Sequence, residues 1–132
     1  MIGIDSNVLV RFFVRDNEAQ TAAATRFIAE RTEESPGFIS AVVVCELVWV
    51  LQKSYGYADA AVHEALTSLF ESSNIIIERA DLVDHAIAEA RQARADVSDC
   101  IIAALATAAG ADKTVTFDKP AAKRIPGMEL LS

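Results

Sequence analysis

Short apolar runs alternate along the chain with longer stretches in which apolar residues return every three or four positions, the rhythm of strand followed by helix. Residues 1–5 form the first apolar run and predict a strand. Ser6 or Asn7 can cap the helix that follows, whose apolar face uses Val8, Leu9, Phe12 and Phe13. A second helix is predicted over about 18–33, closed by the turn signal Ser35-Pro36-Gly37. Residues 37–40 give a short strand, and Ser40 can cap a strongly apolar helix over 41–55. Further helices are predicted over 58–71, 82–94 and 98–109, the last with Gly110 in the usual stopping position. The runs 74–78, 114–117 and 128–131 complete the strands.

About five short strands separated by helices predict an α/β fold with a mostly parallel sheet covered by helices on both faces. With 132 residues and no long linker, repeat or low-complexity segment, the chain is read as a single domain over 1–132. Sites in such folds form outside the carboxyl ends of the strands, and that rule selects residues.

Asp5 ends the first strand and Asp118 ends the strand Thr-Val-Thr-Phe, so both fall at that edge. Asp at such a place also commonly caps the next helix. Glu46 is the only charged residue in AVVVCELVWVL, residues 41–51. A helix apolar nearly all round is expected to be buried, where an ionised carboxylate costs several kcal/mol unless it is paired or binds metal. No Lys or Arg stands three or four residues away to pair with it. The alternative is that Glu46 faces solvent on a narrow polar stripe. Asp99 opens the run CIIAALATAAG from the first helical turn, where a carboxylate can also serve the helix dipole. Asp96 reads as a solvated loop residue or the cap itself.

Taken together, Asp5, Glu46, Asp99 and Asp118 supply the oxygen ligands that a hard divalent cation such as Mg²⁺ or Mn²⁺ takes, without the imidazoles or thiolates that zinc prefers. One or two such ions activate water and stabilise charge on a phosphodiester. Other chemistries lack their motifs. There is no phosphate-cradling loop ending in Lys-Ser or Lys-Thr, no G-x-G-x-x-G and no G-x-S-x-G. His63 and His85 fall in amphipathic helices among charged or small residues and are expected at exposed or rim positions. Cys45 and Cys100 have no Cys-x-x-Cys spacing and are expected as buried, reduced thiols. Trp49 and the pair Phe12-Phe13 are expected in the core or at a subunit interface.

Charge complicates a phosphate-binding role, because the net charge is −7. Setting aside the four carboxylates of the site leaves −3, and a bound cation rather than a basic patch then presents positive charge. No apolar run is long enough to span a bilayer. The start MIGIDSNVLV reads as the first strand and not as an export signal, which argues for the cytosol.

The segments IGIDSNVLVRFFV, VVVCELVWVL and ADVSDCIIAALATAAGADKTVTFDKPAAKRIPGMELL, in this order, resemble PIN-domain ribonucleases of the VapC type, the toxin half of a toxin–antitoxin pair. The resemblance runs along essentially the whole chain. It implies a three-layer α/β/α sandwich around a short parallel sheet. It implies Asp5 and Asp99 as principal metal ligands, Glu46 as a ligand or as the group that orients water, and Asp118 as the residue completing the quartet. Ser6 matches a position where the family places a small hydroxyl residue, a helper in metal or substrate positioning. The resemblance further implies an RNA substrate, a homodimer, and neutralisation by a small antitoxin whose C-terminal segment enters the acidic groove. The chain departs from expectation in its acidity, with few basic residues beyond Arg11, Arg15, Lys119, Lys123 and Arg124. Two other readings remain. One is phosphotransfer at Asp5, although a phosphatase pattern needs a second Asp where Asn7 stands. The other is a non-catalytic PIN-like binding module, although all four acidic positions are present.

Overall fold

Parallel strands cannot be joined by tight turns, so each return along the sheet needs a crossover, and here helices supply it. The computed structural model describes residues 1–132 as an α/β fold of five parallel strands and seven helices. The chain divides into two compact units, Met1–Glu78 and Arg79–Ser132.

In the N-terminal unit the order is β1 (Ile2–Gly3), α1 (Ser6–Val14), α2 (Glu18–Ala29), β2 (Gly37–Ile39), α3 (Ala41–Lys53), α4 (Asp59–Glu71) and β3 (Ile75–Ile77). The strands pair in the order β1-β2-β3, with Ile2 beside Gly37 and Gly37 beside Ile75. Gly37 sits where neighbouring side chains approach closely. A Cβ there would stand 2.7 Å from Ile4 Cδ1 and 2.9 Å from Ile75 Cδ1, so a larger residue would force these two side-chain ends to shift. Strand β1 is shorter than the apolar run suggests because Asp5 leaves the ladder to cap α1. The expected caps Ser6 and Asn7 are instead the first helical residues.

Helix α3 buries Ala41, Val44, Leu47, Val48 and Leu51, the three-and-four spacing of one helical face. Val42 and Trp49 lie on the opposite side, 66% and 60% exposed, and Glu46 between them is exposed too. The expectation of an all-round buried helix is therefore corrected. Apolar residues all round a helix are buried only where neighbours cover every side, and in this chain one face of α3 is covered. Trp49 is accordingly not a core residue. His63 is corrected in the other direction. It is buried beside Val62, Leu66 and Leu69, because it shares the apolar stripe of α4 at the i−3 position from Leu66. Phe12 and Phe13 are half-buried and meet edge to face, with ring centres 5.1 Å apart.

The C-terminal unit consists of α5 (Ala80–Ala93), α6 (Val97–Ala108), β4 (Thr114–Thr116), α7 (Lys119–Arg124) and β5 (Met128–Leu130). Strands β4 and β5 pair in parallel, Thr114 beside Met128, and form their own ladder. The expected sheet of about five strands is thus hydrogen-bonded as a three-stranded and a two-stranded ladder. Helix α7 is not among the helices that apolar spacing predicts, although a capping role for Asp118 allows for it. Asp118 caps it and Pro120 occupies its first turn, where a missing N–H costs nothing. Gly110 follows α6 at φ +98, the left-handed stop expected of it. No helix is long and apolar enough to cross a membrane.

Candidate functional site

The two acidic residues of the N-terminal unit are joined by one serine. Asp5 follows β1 as the cap of α1, and its Oδ1 accepts from Ser6 N at 2.7 Å. A usual cap reaches the N–H two or three residues on, so this short, charge-assisted bond holds the carboxylate tightly at the helix mouth. The partial positive charge of the α1 N-terminus favours the anion there. Ser6 is buried, and its Oγ lies 2.8 Å from Glu46 Oε2 and 3.4 Å from Asp5 Oδ1. A hydroxyl has one hydrogen to donate, and the shorter contact takes it. Glu46 is thereby held by Oε2, leaving Oε1 for another ligand. Asp5 Oδ2 is likewise uncommitted, and both carboxylates are exposed.

A second acidic group stands in the C-terminal unit. Asp96 caps α6, its Oδ1 accepting from Asp99 N at 3.0 Å. The capping role that Asp99 might have filled therefore belongs to Asp96, and the Asp99 carboxylate makes no hydrogen bond of its own. Asp99 is half-buried, and its carboxyl is held above the usual range. Burial contributes most, followed by the negative charges of Asp96 and then Asp118. Asp118 is exposed at the end of β4 and is fixed twice. Its N–H donates to Thr116 Oγ1 at 3.0 Å, and its Oδ1 accepts from Ala121 N at 3.0 Å. The capping reading of Asp118 is thus correct, and Oδ2 remains available beside it.

The PIN domain family matches residues 2–126, a span that includes all four carboxylates. The chain belongs to the PIN domain family. PIN domains are as a family metal-dependent nucleases. Among curated proteins, none matches the chain.

In this PIN domain no three His, Cys, Asp or Glu side chains are gathered where they could hold a metal ion. One unit presents Asp5 and Glu46, the other Asp99 and Asp118. Carboxylates are the ligands a hard cation takes, and Mg²⁺ uses one or two of them while keeping several waters. Thiol chemistry does not compete. Cys100 is buried and its thiol is pushed up to about 11, by burial first and then by Glu89, Asp96 and Asp99, so it stays protonated and inert. Neither cysteine is in a disulfide, and Cys45 is only half-buried, not buried as expected. His85 is exposed as expected, 3.9 Å from Glu89 on the same helix.

Thr116 was missed in the sequence, although a hydroxyl two residues before an Asp is a recurrent turn device. The Ser6–Glu46 bond joins residues 40 positions apart and has no local signature.

Proposed function

We propose that this protein is a divalent-metal-dependent endoribonuclease of the VapC type, the toxin of a toxin–antitoxin pair, with residues 1–132 acting as one nuclease domain. The observation that carries the reading is the pairing of carboxylates through Ser6 within a PIN domain, together with an Asp99 that has no structural partner. All four acidic positions are intact, which favours an enzyme over a binding module.

In this reading Asp5, Glu46, Asp99 and Asp118 are the ligands of Mg²⁺ or Mn²⁺. The cation, when bound, polarises the phosphodiester and acidifies a water. Ser6 restrains Glu46 through Oε2 so that Oε1 can orient the attacking water and accept its proton. Asp96 releases Asp99 from capping, and Thr116 fixes the backbone from which Asp118 projects.

The partners of this reading are an RNA substrate, a second copy of the chain and an antitoxin. The exposed Val42 and Trp49 of α3 suit a subunit contact. An antitoxin Arg or Lys placed against the acidic groups would displace the cation. Incubating the purified, partner-free protein with structured RNAs in Mg²⁺, Mn²⁺ or EDTA tests the activity. Cleavage that requires the cation is expected, and cleavage that persists in EDTA would rule the reading out.

A further inference from the structure

Phe117 is 78% exposed, more than any other large apolar side chain of the protein. An aromatic ring left in water is costly at roughly 25 cal/mol per Å², and nothing in the fold asks for it. Its backbone is nonetheless fixed on both sides. Thr116 O accepts from Leu131 N at 2.8 Å, Thr116 Oγ1 accepts from Asp118 N at 3.0 Å, and Asp118 Oδ1 accepts from Ala121 N at 3.0 Å. The ring therefore projects from a rigid turn, immediately before one of the candidate ligands.

The same turn carries the densest positive charge in an acidic chain. Lys119, Lys123 and Arg124 are three of the 12 Lys and Arg residues, and all three are exposed. None is ion-paired, since the pairs of this protein are Arg11–Asp16, His85–Glu89 and Lys113–Glu129. Arg124 is held in place by donating to Arg94 O at 3.1 Å. Lys119 and Lys123 stand four apart on α7 and so share a face. An exposed aromatic ring beside uncompensated cations is the arrangement with which proteins hold single-stranded nucleic acid, stacking a base on the ring and following the phosphates with Lys and Arg. A protein contact would also use the ring, but it would leave the three cations unexplained.

We propose that Phe117 is a base-stacking platform and that Lys119 and Lys123 are phosphate contacts, which together seat unpaired RNA so that the phosphodiester beside the stacked base lies at Asp118. This assignment rests on the ribonuclease reading and names the part of its substrate that is recognised. It also answers how an acidic chain holds RNA, through one local cationic turn instead of a broad basic face.

The test measures the anisotropy of a fluorescein-labelled ten-nucleotide oligoribonucleotide in EDTA, with a blunt RNA duplex as comparison, and KM and kcat for cleavage in Mn²⁺. Phe117→Ala should weaken binding of the single strand and raise KM by roughly 5- to 150-fold, the range for loss of one stacked base. Phe117→Trp should retain both. Lys119→Ala combined with Lys123→Ala should lower the slope of log affinity against log salt by about 1.4, two phosphates at about 0.7 each. The ring is exposed, so these variants should fold as the wild type does. Wild-type cleavage with Phe117→Ala within twofold in affinity and KM, or equal affinity for duplex and single strand, overturns the platform and leaves the nuclease reading standing. Unchanged RNA affinity with altered self-association would assign Phe117 to a protein contact and also overturn it. If the wild type neither binds the strand nor cleaves RNA in Mn²⁺, both readings fall together.

Discussion

Ser6 donates its hydroxyl hydrogen to Glu46 Oε2 across 2.8 Å, so the first residue of α1 fixes a carboxylate on α3. The same residue donates its backbone N–H to Asp5 Oδ1. Two acidic side chains distant in sequence are therefore oriented by one buried serine, and what happens to that serine should be felt by both.

Ser6→Ala removes the hydroxyl and keeps the backbone bond to Asp5. Loss of a hydrogen bond to a charged group is worth about 1.5–3 kcal/mol at most, and the exposure of Glu46 places the effect at the low end. RNA cleavage should fall about tenfold in kcat/KM, and Ser6→Thr, which retains the hydroxyl, should recover most of it. Steady-state kinetics on one RNA substrate checks this. Equal loss in the Thr and Ala variants would show that the hydroxyl is not what matters.

Asp99 gives a pH dependence whose sign follows from its environment. Its carboxyl is raised in the folded state by burial, Asp96 and Asp118. Between the ordinary carboxylate value and the raised one, the folded protein binds more protons than the unfolded chain. Its contribution to stability is therefore lost as pH rises through that window, and above it the charged carboxylate opposes folding. Asp99→Asn should stabilise the metal-free protein at neutral pH by less than about 1 kcal/mol, allowing for solvent screening, with the gain vanishing in acid. The wild type should in turn gain more from Mn²⁺, as RT ln(1 + [L]/Kd), than the variant does. Thermal melts in EDTA and across a Mn²⁺ titration decide it. A destabilised variant with unchanged metal sensitivity would mean that Asp99 is structural.

The Cys100 thiol, pushed up to about 11, should resist alkylation in the folded protein. At pH 8 iodoacetamide should leave Cys100 unmodified over a time in which the unfolded chain reacts completely, as read by peptide mass spectrometry. Rapid modification of the native protein would show that the thiol is neither buried nor protonated.

The exposed stripe of α3 predicts self-association. Val42 and Trp49 at 66% and 60% exposure are unusual company for Glu46 on one helix face. Light scattering at micromolar concentration should give twice the chain mass of 14.2 kDa. Trp49→Asp should return the protein to a monomer, and a wild-type mass near that of one chain would count against the contact.

Much of this was readable in the sequence, because helix and strand periods are local properties. The order of elements and the parallel strands followed from apolar spacing, and Gly110 stopped α6 as expected. Helix α7 escaped because six residues carry no apolar period. Only Ala121 within it is buried. The exposure of Glu46 and the burial of His63 were misread for a common reason: composition shows that a helix is apolar but not which side its neighbours cover. Asp96 and Asp99 were distinguishable as cap and non-cap only once α6 began at Val97. The Ser6–Glu46 bond is a tertiary contact, and no local pattern announces it.

The proposed metal-dependent activity requires cation binding that depends on Asp5, Glu46, Asp99 and Asp118. Calorimetric titration of the partner-free protein with Mn²⁺ tests it most directly, comparing wild type with Asp5→Asn, Glu46→Gln, Asp99→Asn and Asp118→Asn. Every variant should bind Mn²⁺ more weakly, with the largest losses at Asp5 and Asp99. If the Asp99 and Asp118 variants bind as the wild type does while the Asp5 and Glu46 variants do not, cation binding does not depend on all four residues and the account is contradicted.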